Sequence, residues 1–116
     1  MKMTSLACLA GFVLLAQGCA SSREVDTRHL TRFDEYHANL EIVGQRYTLD
    51  AYIVMFQKPF YITVQRDDRR PMSIDEAARA AEEYIKPRGC TEPLVRRADL
   101  DRSNADKTQW MVGIEC

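Results

Sequence analysis

From Tyr36 onward the chain alternates: Tyr36, Ala38, Leu40 and Ile42 interleave with His37, Asn39 and Glu41. A period of two is the pattern of a strand buried on one face. Gly44-Gln45 follows, with glycine at the first central position that a type II′ turn favours. With those two residues as the loop, Ile42 faces Tyr47, Leu40 faces Leu49, Ala38 faces Ala51 and Tyr36 faces Ile53, all on one side. The next turn falls at Gln57-Lys58-Pro59, because proline cannot donate to a ladder. The strand from Phe60 to Arg66 then adds Phe60, Ile62 and Val64 to the face that holds Ile53 and Met55. The pattern predicts a three-stranded antiparallel meander with one apolar face that needs a cover.

The period then changes. Asp67-Asp68-Arg69-Arg70-Pro71 is a solvated turn, and Ser73-Ile74-Asp75-Glu76 reads as a capping box, with Ser73 capping the helix start and Glu76 reaching back to it. Ile74, Ala78, Ala81 and Ile85 form the expected apolar stripe, flanked by Ala77 and Tyr84. Pro87 and Gly89 stop the helix. Beyond Cys90 two strands are predicted, Leu94–Leu100 and Gln109–Cys116, joined by the polar loop 102–107, with Leu100 opposite Trp110 and Cys116 opposite Leu94. The fold class is α+β: a small antiparallel sheet consisting of a meander with one helix packed on it, then a C-terminal hairpin.

Upstream of this domain the character differs. Lys2 precedes an uncharged apolar run from Leu6 to Ala16, and Leu15-Ala16-Gln17-Gly18-Cys19 follows. The run is too short for a membrane span, which needs about 20 residues, and matches the about 7–15 of a signal peptide. The segment resembles the lipobox of bacterial lipoproteins. That resemblance implies cleavage before Cys19 and acylation of its thiol, so that residues 1–18 are a signal peptide. Residues 19–35 are then a lipidated N-terminus and polar tether, and 36–116 the α+β domain. Fully extended, Cys19 to Tyr36 spans roughly 55 Å. Val25, Leu30 and Phe33 have the loose spacing of a short docking helix. The resemblance also implies attachment to the membrane through Cys19. With Ala20 rather than Asp after the cysteine, it favours the periplasmic face of the outer membrane.

Composition sharpens this picture. Of four cysteines, Cys8 leaves with the signal peptide and Cys19 takes lipid, so Cys90 and Cys116 remain to form one disulfide in an oxidising compartment. The loop so closed is worth roughly 3.5 kcal/mol by chain entropy, a large share for a small domain. A net charge of −1 lacks the basic stripe of a nucleic-acid binder.

No residue constellation points to catalysis, metal or cofactor. His29 lies in the tether and His37 on the polar strand face, without a visible partner or pocket. Glu82 and Glu83 form the wet face of the helix. Asp99, Asp101 and Ser103 open like a calcium loop, but Asn104 and Trp110 stand where glycine and glutamate belong. The face of the meander opposite the helix carries Tyr52, Val54, Phe56 and Tyr61, a candidate partner patch unless the N-terminal segment or the last hairpin covers it. The expected function is non-enzymatic: binding, scaffolding or accessory work in the cell envelope with an envelope protein as partner. The second reading is an inhibitor or recognition module against a secreted or cell-wall-degrading enzyme.

Overall fold

The computed structural model describes residues 24–116. The expected signal peptide, with Cys8 and the Cys19 site, lies outside the described residues. The elements run β1 (Thr31–Ile42), β2 (Gln45–Ile53), β3 (Phe60–Arg66), α1 (Ile74–Ile85), β4 (Val95–Arg96), β5 (Arg102–Ser103) and β6 (Gln109–Glu115). All six strands form one antiparallel sheet in the order β1-β2-β3-β6-β4, with β5 also paired to β6. The meander and its covering helix are therefore present. The last strand, however, is not confined to a separate hairpin, since it pairs with β3 from Phe60↔Ile114 to Gln65↔Gln109. Trp110, Val112 and Ile114 prolong the apolar row of Phe60, Ile62 and Val64, and the pairing closes the core beneath α1.

The first hairpin turns one residue earlier than predicted. Ile42 pairs with Gln45, so the loop is Val43-Gly44, with φ of 51° and 77°. Two positive φ values make this a type I′ turn, whose twist suits a hairpin even though Val43 must adopt a conformation that β-branched residues disfavour. Leu40 consequently faces Tyr47 and Ala38 faces Leu49. The shift in pairing is even, so the apolar side chains keep their face.

Further along β1, the four residues Asp34 to His37 stand against the single residue Asp50, between the pairs Phe33↔Ala51 and Ala38↔Leu49. This irregularity reverses the strand's parity, and Phe33 joins Tyr36 and Ala38 against the core. Phe33 packs its ring 5.2 Å from Tyr36 and 6.3 Å from Phe60. The helix at 25–33 suggested by apolar spacing is absent, and β1 starts at Thr31, within the expected tether. A carbonyl of the irregular stretch is satisfied from above: the fully buried Tyr84 donates its hydroxyl to Tyr36 O. Burial raises the pKa of that phenol.

Ser73 caps α1 by accepting a hydrogen bond from the Glu76 N–H at 3.1 Å. The other half of the box is not made, because Glu76 Oε2 instead accepts from Tyr47 Oη at 2.8 Å and from Arg66 Nη1 at 3.1 Å. The helix thus grips the sheet with its first turn. Its buried stripe is Ala77, Ala80, Ala81, Tyr84 and Ile85, with Ile74 and Ala78 at the margin. The predicted centre was off by part of a turn because Tyr84, read as a flank, has the hydrogen bond that lets its polar end go inside. Pro87 sits in a 3₁₀ turn that continues the helix to Arg88, and Gly89 at φ 108° ends it.

The predicted strand 94–100 is broken. Val95↔Glu115 and Arg96↔Ile114 have the expected register, but Ala98–Leu100 form a 3₁₀ turn, after which Arg102↔Met111 and Ser103↔Trp110 are displaced. Ser103, not Leu100, lies opposite Trp110. The cause is Gly113: a Cβ there would stand 2.6 Å from Arg97 O and 2.7 Å from Leu100 Cβ. The 97–100 turn sits directly on that glycine. At the end of β6, Cys116 is bridged to Cys90 with a Cα–Cα distance of 5.5 Å, pinning the segment after α1 to the last strand.

Gly113→Ala is expected to destabilise the fold by about 1–3 kcal/mol, because backbone rather than a flexible side-chain end must yield. A lower urea midpoint at unchanged slope is the expected reading.

Candidate functional site

The sheet has two unlike faces. Under α1 lie Leu49, Ala51, Ile62, Val64, Val112 and Ile114, all fully buried. On the other face Thr48, Asp50 and Tyr52 alternate with them along β2, Tyr61, Thr63 and Gln65 along β3, and Gln109, Met111, Gly113 and Glu115 along β6. This second face holds the candidate patch.

Tyr52 and Tyr61 are directly paired across β2 and β3 and are half-buried. Val54 and Phe56 do not extend a strand. β2 ends at Ile53, the Gln57 N–H donates to Val54 O at 3.0 Å, and Phe56 projects from the turn at φ 67°, fully exposed. Met55, predicted to face the core, is also exposed in this turn. The patch is therefore a tyrosine pair on the sheet leading to an apolar hairpin tip, with Lys58 following.

Toward β6 the second face is covered, both by the N-terminal segment and by the broken strand. The Val25 N–H donates to Gln109 Oε1 at 2.7 Å, fixing the segment over one end of β6. Between this strap and the turn before β5 runs a groove of about 520 Å³, with Tyr61, Leu100 and Met111 as apolar lining and Asp26, His29 and Arg102 as polar lining. Asp26 is held down at about 2 by the side-chain hydrogen bond from Arg28. Tyr61 belongs to both groove and patch. Val25, Leu100 and Met111 are not legible from the sequence as lining one groove, although Gly113 in an otherwise apolar strand carries the signal, since a strand glycine marks a close backbone approach.

Arginines brace the carboxylates that resembled a calcium loop. Arg96 grips Asp101 through its two terminal nitrogens, Nη1 and Nη2, at 3.2 and 2.7 Å, and Asp101 Oδ1 also accepts from the Gly113 N–H at 3.0 Å. Arg97 makes two bonds to Asp99 and one to Glu115, each at 3.0 Å. The side-chain hydrogen bonds raise the pKa of Arg97 and lower that of Asp99. Among the described residues no cluster of three or more His, Cys, Asp and Glu is placed to hold a metal ion.

His37 has the oriented partner that the sequence did not show. Its Nδ1 is 2.7 Å from Asp50 Oδ1, and Arg32 Nη2 reaches the same oxygen at 3.1 Å. The pair does not line the groove beside the N-terminal strap. The arrangement is a charge cluster at the margin of the sheet, across the second face from the covered side.

Burial, and then the hydrogen bond to Glu76, push the Tyr47 phenol up to about 12, above its ordinary 10.0. Folding therefore favours the protonated form. That contribution is whole below pH 10 and is lost as pH climbs toward 12. Tyr47→Phe should cost about 1 kcal/mol at neutral pH. It should also flatten part of the alkaline fall in stability when urea midpoints are compared at neutral and alkaline pH. Identical alkaline slopes would contradict this assignment. Comparisons with protein-family models, curated proteins and solved structures found no match to this chain.

Proposed function

We propose that this protein is a lipid-anchored component of a bacterial cell envelope, held through Cys19 on the periplasmic face of the outer membrane. There its domain binds or scaffolds an envelope protein rather than catalysing a reaction. The observation that carries the reading is the lipobox-like Leu15-Ala16-Gln17-Gly18-Cys19 behind an apolar run, in a chain whose two other cysteines beyond it are bridged to each other. A disulfide supports an oxidising compartment, since reducing ones keep such pairs open. Among the described residues no helix is long and apolar enough to cross a membrane. The tyrosine pair and the groove give the domain a surface of mixed apolar and polar chemistry, which suits association.

The second reading, an inhibitor or recognition module against a secreted or cell-wall-degrading enzyme, draws on Phe56. A fully exposed aromatic at a hairpin tip has the shape of a residue that enters another protein's cleft. Both readings use the same surface and differ in the partner recovered.

Growth with a radiolabelled fatty acid should label the wild-type protein, and Cys19→Ala should abolish the label. An unlabelled wild type overturns the anchor. Membrane fractionation then assigns the label to inner or outer membrane. Affinity capture from the envelope with Tyr52→Ala and Phe56→Ala should lose the partner that the wild type retains. An unaltered partner set removes the patch, and a recovered hydrolase favours the second reading.

A further inference from the structure

The two edges of the sheet are built differently. On one side, β4 and β5 are two-residue strands with a 3₁₀ turn between them, so no long row of free backbone groups exists there. On the other, β1 runs for twelve residues as the outermost strand, and its stretch from Ala38 to Ile42 pairs regularly with β2. The two-residue turn makes Ile42 and Gln45 a hydrogen-bonded pair. Ala38, Leu40 and Ile42 therefore turn their N–H and C=O groups toward β2, and Asn39 and Glu41 turn theirs outward. Outward groups on a regular edge are a template for another strand.

The side chains repeat the asymmetry. α1 packs mainly on β3 and β6 and reaches β2 less. Ala38, Leu40 and Ile42 are consequently half-buried, an apolar ledge on the helix side of the edge. On the other side of the strand, the Asn39 side-chain amide meets Thr48 Oγ1 at 2.7 Å, and the single proton of that hydroxyl is shared with Asp67 Oδ1 at 2.9 Å, so at least one of the two amide N–H groups stays available for a further acceptor.

We propose that this edge pairs with the same edge of a second copy of the chain, antiparallel about a two-fold axis at Leu40. Leu40 then lies opposite Leu40 of the second copy, Ala38 opposite Ile42, and Asn39 opposite Glu41. Every ledge residue meets an apolar partner, and the amide of Asn39 meets a carboxylate. Asn39 and Glu41 supply hydrogen-bonded pairs on both sides of the axis. Neighbouring registers are poorer. One step in one direction sets Glu41 against Glu41, and like charges directly opposed are destabilising. One step in the other draws in the irregular residues 34–37, which do not keep a flat ladder. Self-pairing of this kind is isologous and closes at two copies, because each copy's other edge is broken.

Cysteine placed at position 40 tests the register directly. In the full chain with its native disulfide, Leu40→Cys puts two thiols on a non-hydrogen-bonded pair with Cα atoms about 4.5 Å apart, within the range a disulfide spans. Asn39→Cys places its thiols two residues out of step, beyond about 7 Å. Under a mild oxidant, Leu40→Cys is expected to give a covalent dimer roughly tenfold more efficiently than Asn39→Cys, measured above the background of the parent chain. Equal crosslinking, or crosslinking led by position 39, overturns the proposal. Sedimentation of the unmodified chain should show a monomer–dimer equilibrium, and a monomer at every concentration also overturns it. Asn39→Pro removes an outward N–H on an edge strand and should leave a folded monomer with an unchanged circular-dichroism spectrum. A folded variant that still dimerises counts against the pairing.

Discussion

β6 is the last element of the chain and yet lies inside the sheet, between β3 and the short strands β4 and β5. Nearly every other feature depends on this placement. Its Trp110, Val112 and Ile114 complete the floor on which α1 rests, and the Trp110 indole donates to Met72 O at 2.8 Å, fixing the approach to the helix. Its Gly113 receives the 97–100 turn on the opposite side, and Met111 pairs with Arg102 of β5. Its end carries Cys116, so the bridge to Cys90 joins the helix terminus to the strand that the helix covers. A core that closes only when β6 pairs with β3, across the helix and the segment after it, is dominated by contacts distant in sequence, which slows folding and makes a covalent link at that junction more valuable.

The core and its rim reach stability by different means. Under α1 the solution is apolar burial, with small alanines allowing close approach and the hydroxyls of Tyr47 and Tyr84 each finding an acceptor. Around the rim, with Arg66 on the α1 side and others toward the second face, it is guanidinium chemistry. Arg66 binds Asp68, Glu76 and Gln45 together, Arg96 locks Asp101 while bonding Gly113 O, and Arg97 joins Asp99 to Glu115. Exposed ion pairs are each worth about 0–1 kcal/mol. Their consequence here is geometric, since fork-shaped donors set the path of the 96–102 segment and the β3–α1 turn. These arginines are committed to their own chain, whereas Arg69, Arg70 and Lys58 are exposed on loops.

Periodicity made the core of this fold readable and turn chemistry did not. Alternation from Tyr36 to Arg66 found the meander, and the apolar row of β6 found its final strand, because both follow from burying one face of a pleated sheet. What stayed hidden arises from exceptions to periodicity. A valine accepts positive φ at position 43, shifting the hairpin by one residue on each strand. Four residues of β1 stand opposite one of β2, which brings Phe33 inward as part of a strand from a segment read as a tether with a short docking helix. Glu76 satisfies Tyr47 and Arg66 in place of its own helix terminus. The covered side of the second face had a signal in Gly113, yet the partner of that glycine is a backbone turn, which no side-chain pattern announces. Tyr52 and Tyr61 were legible as sharing a face because facing follows alternation, their direct pairing comes from the structure, and Phe56, read as part of a strand, instead occupies a turn.

The N-terminal segment alters the geometry of the proposed anchor. Alternation alone allowed a free tether from Cys19 to Tyr36, and with it a reach of roughly 55 Å. Instead the chain is already tied to β6 at Val25, beside Gln109, at the end of the sheet that also carries the Val43-Gly44 turn and the Asp67–Arg70 turn. It then crosses the second face to begin β1 opposite Ile53, at the end that carries Phe56. With Cys19 as the attachment point proposed above, the five residues to Glu24 span at most about 18 Å. A lipid anchor at Cys19 would therefore hold the Val43 end of the sheet near the bilayer. The Phe56 tip would lie a strand's length farther out, about 20 Å at the usual rise per residue. On that proposal, the hydrogen bond from Val25 to Gln109 would set which end of the domain is presented outward.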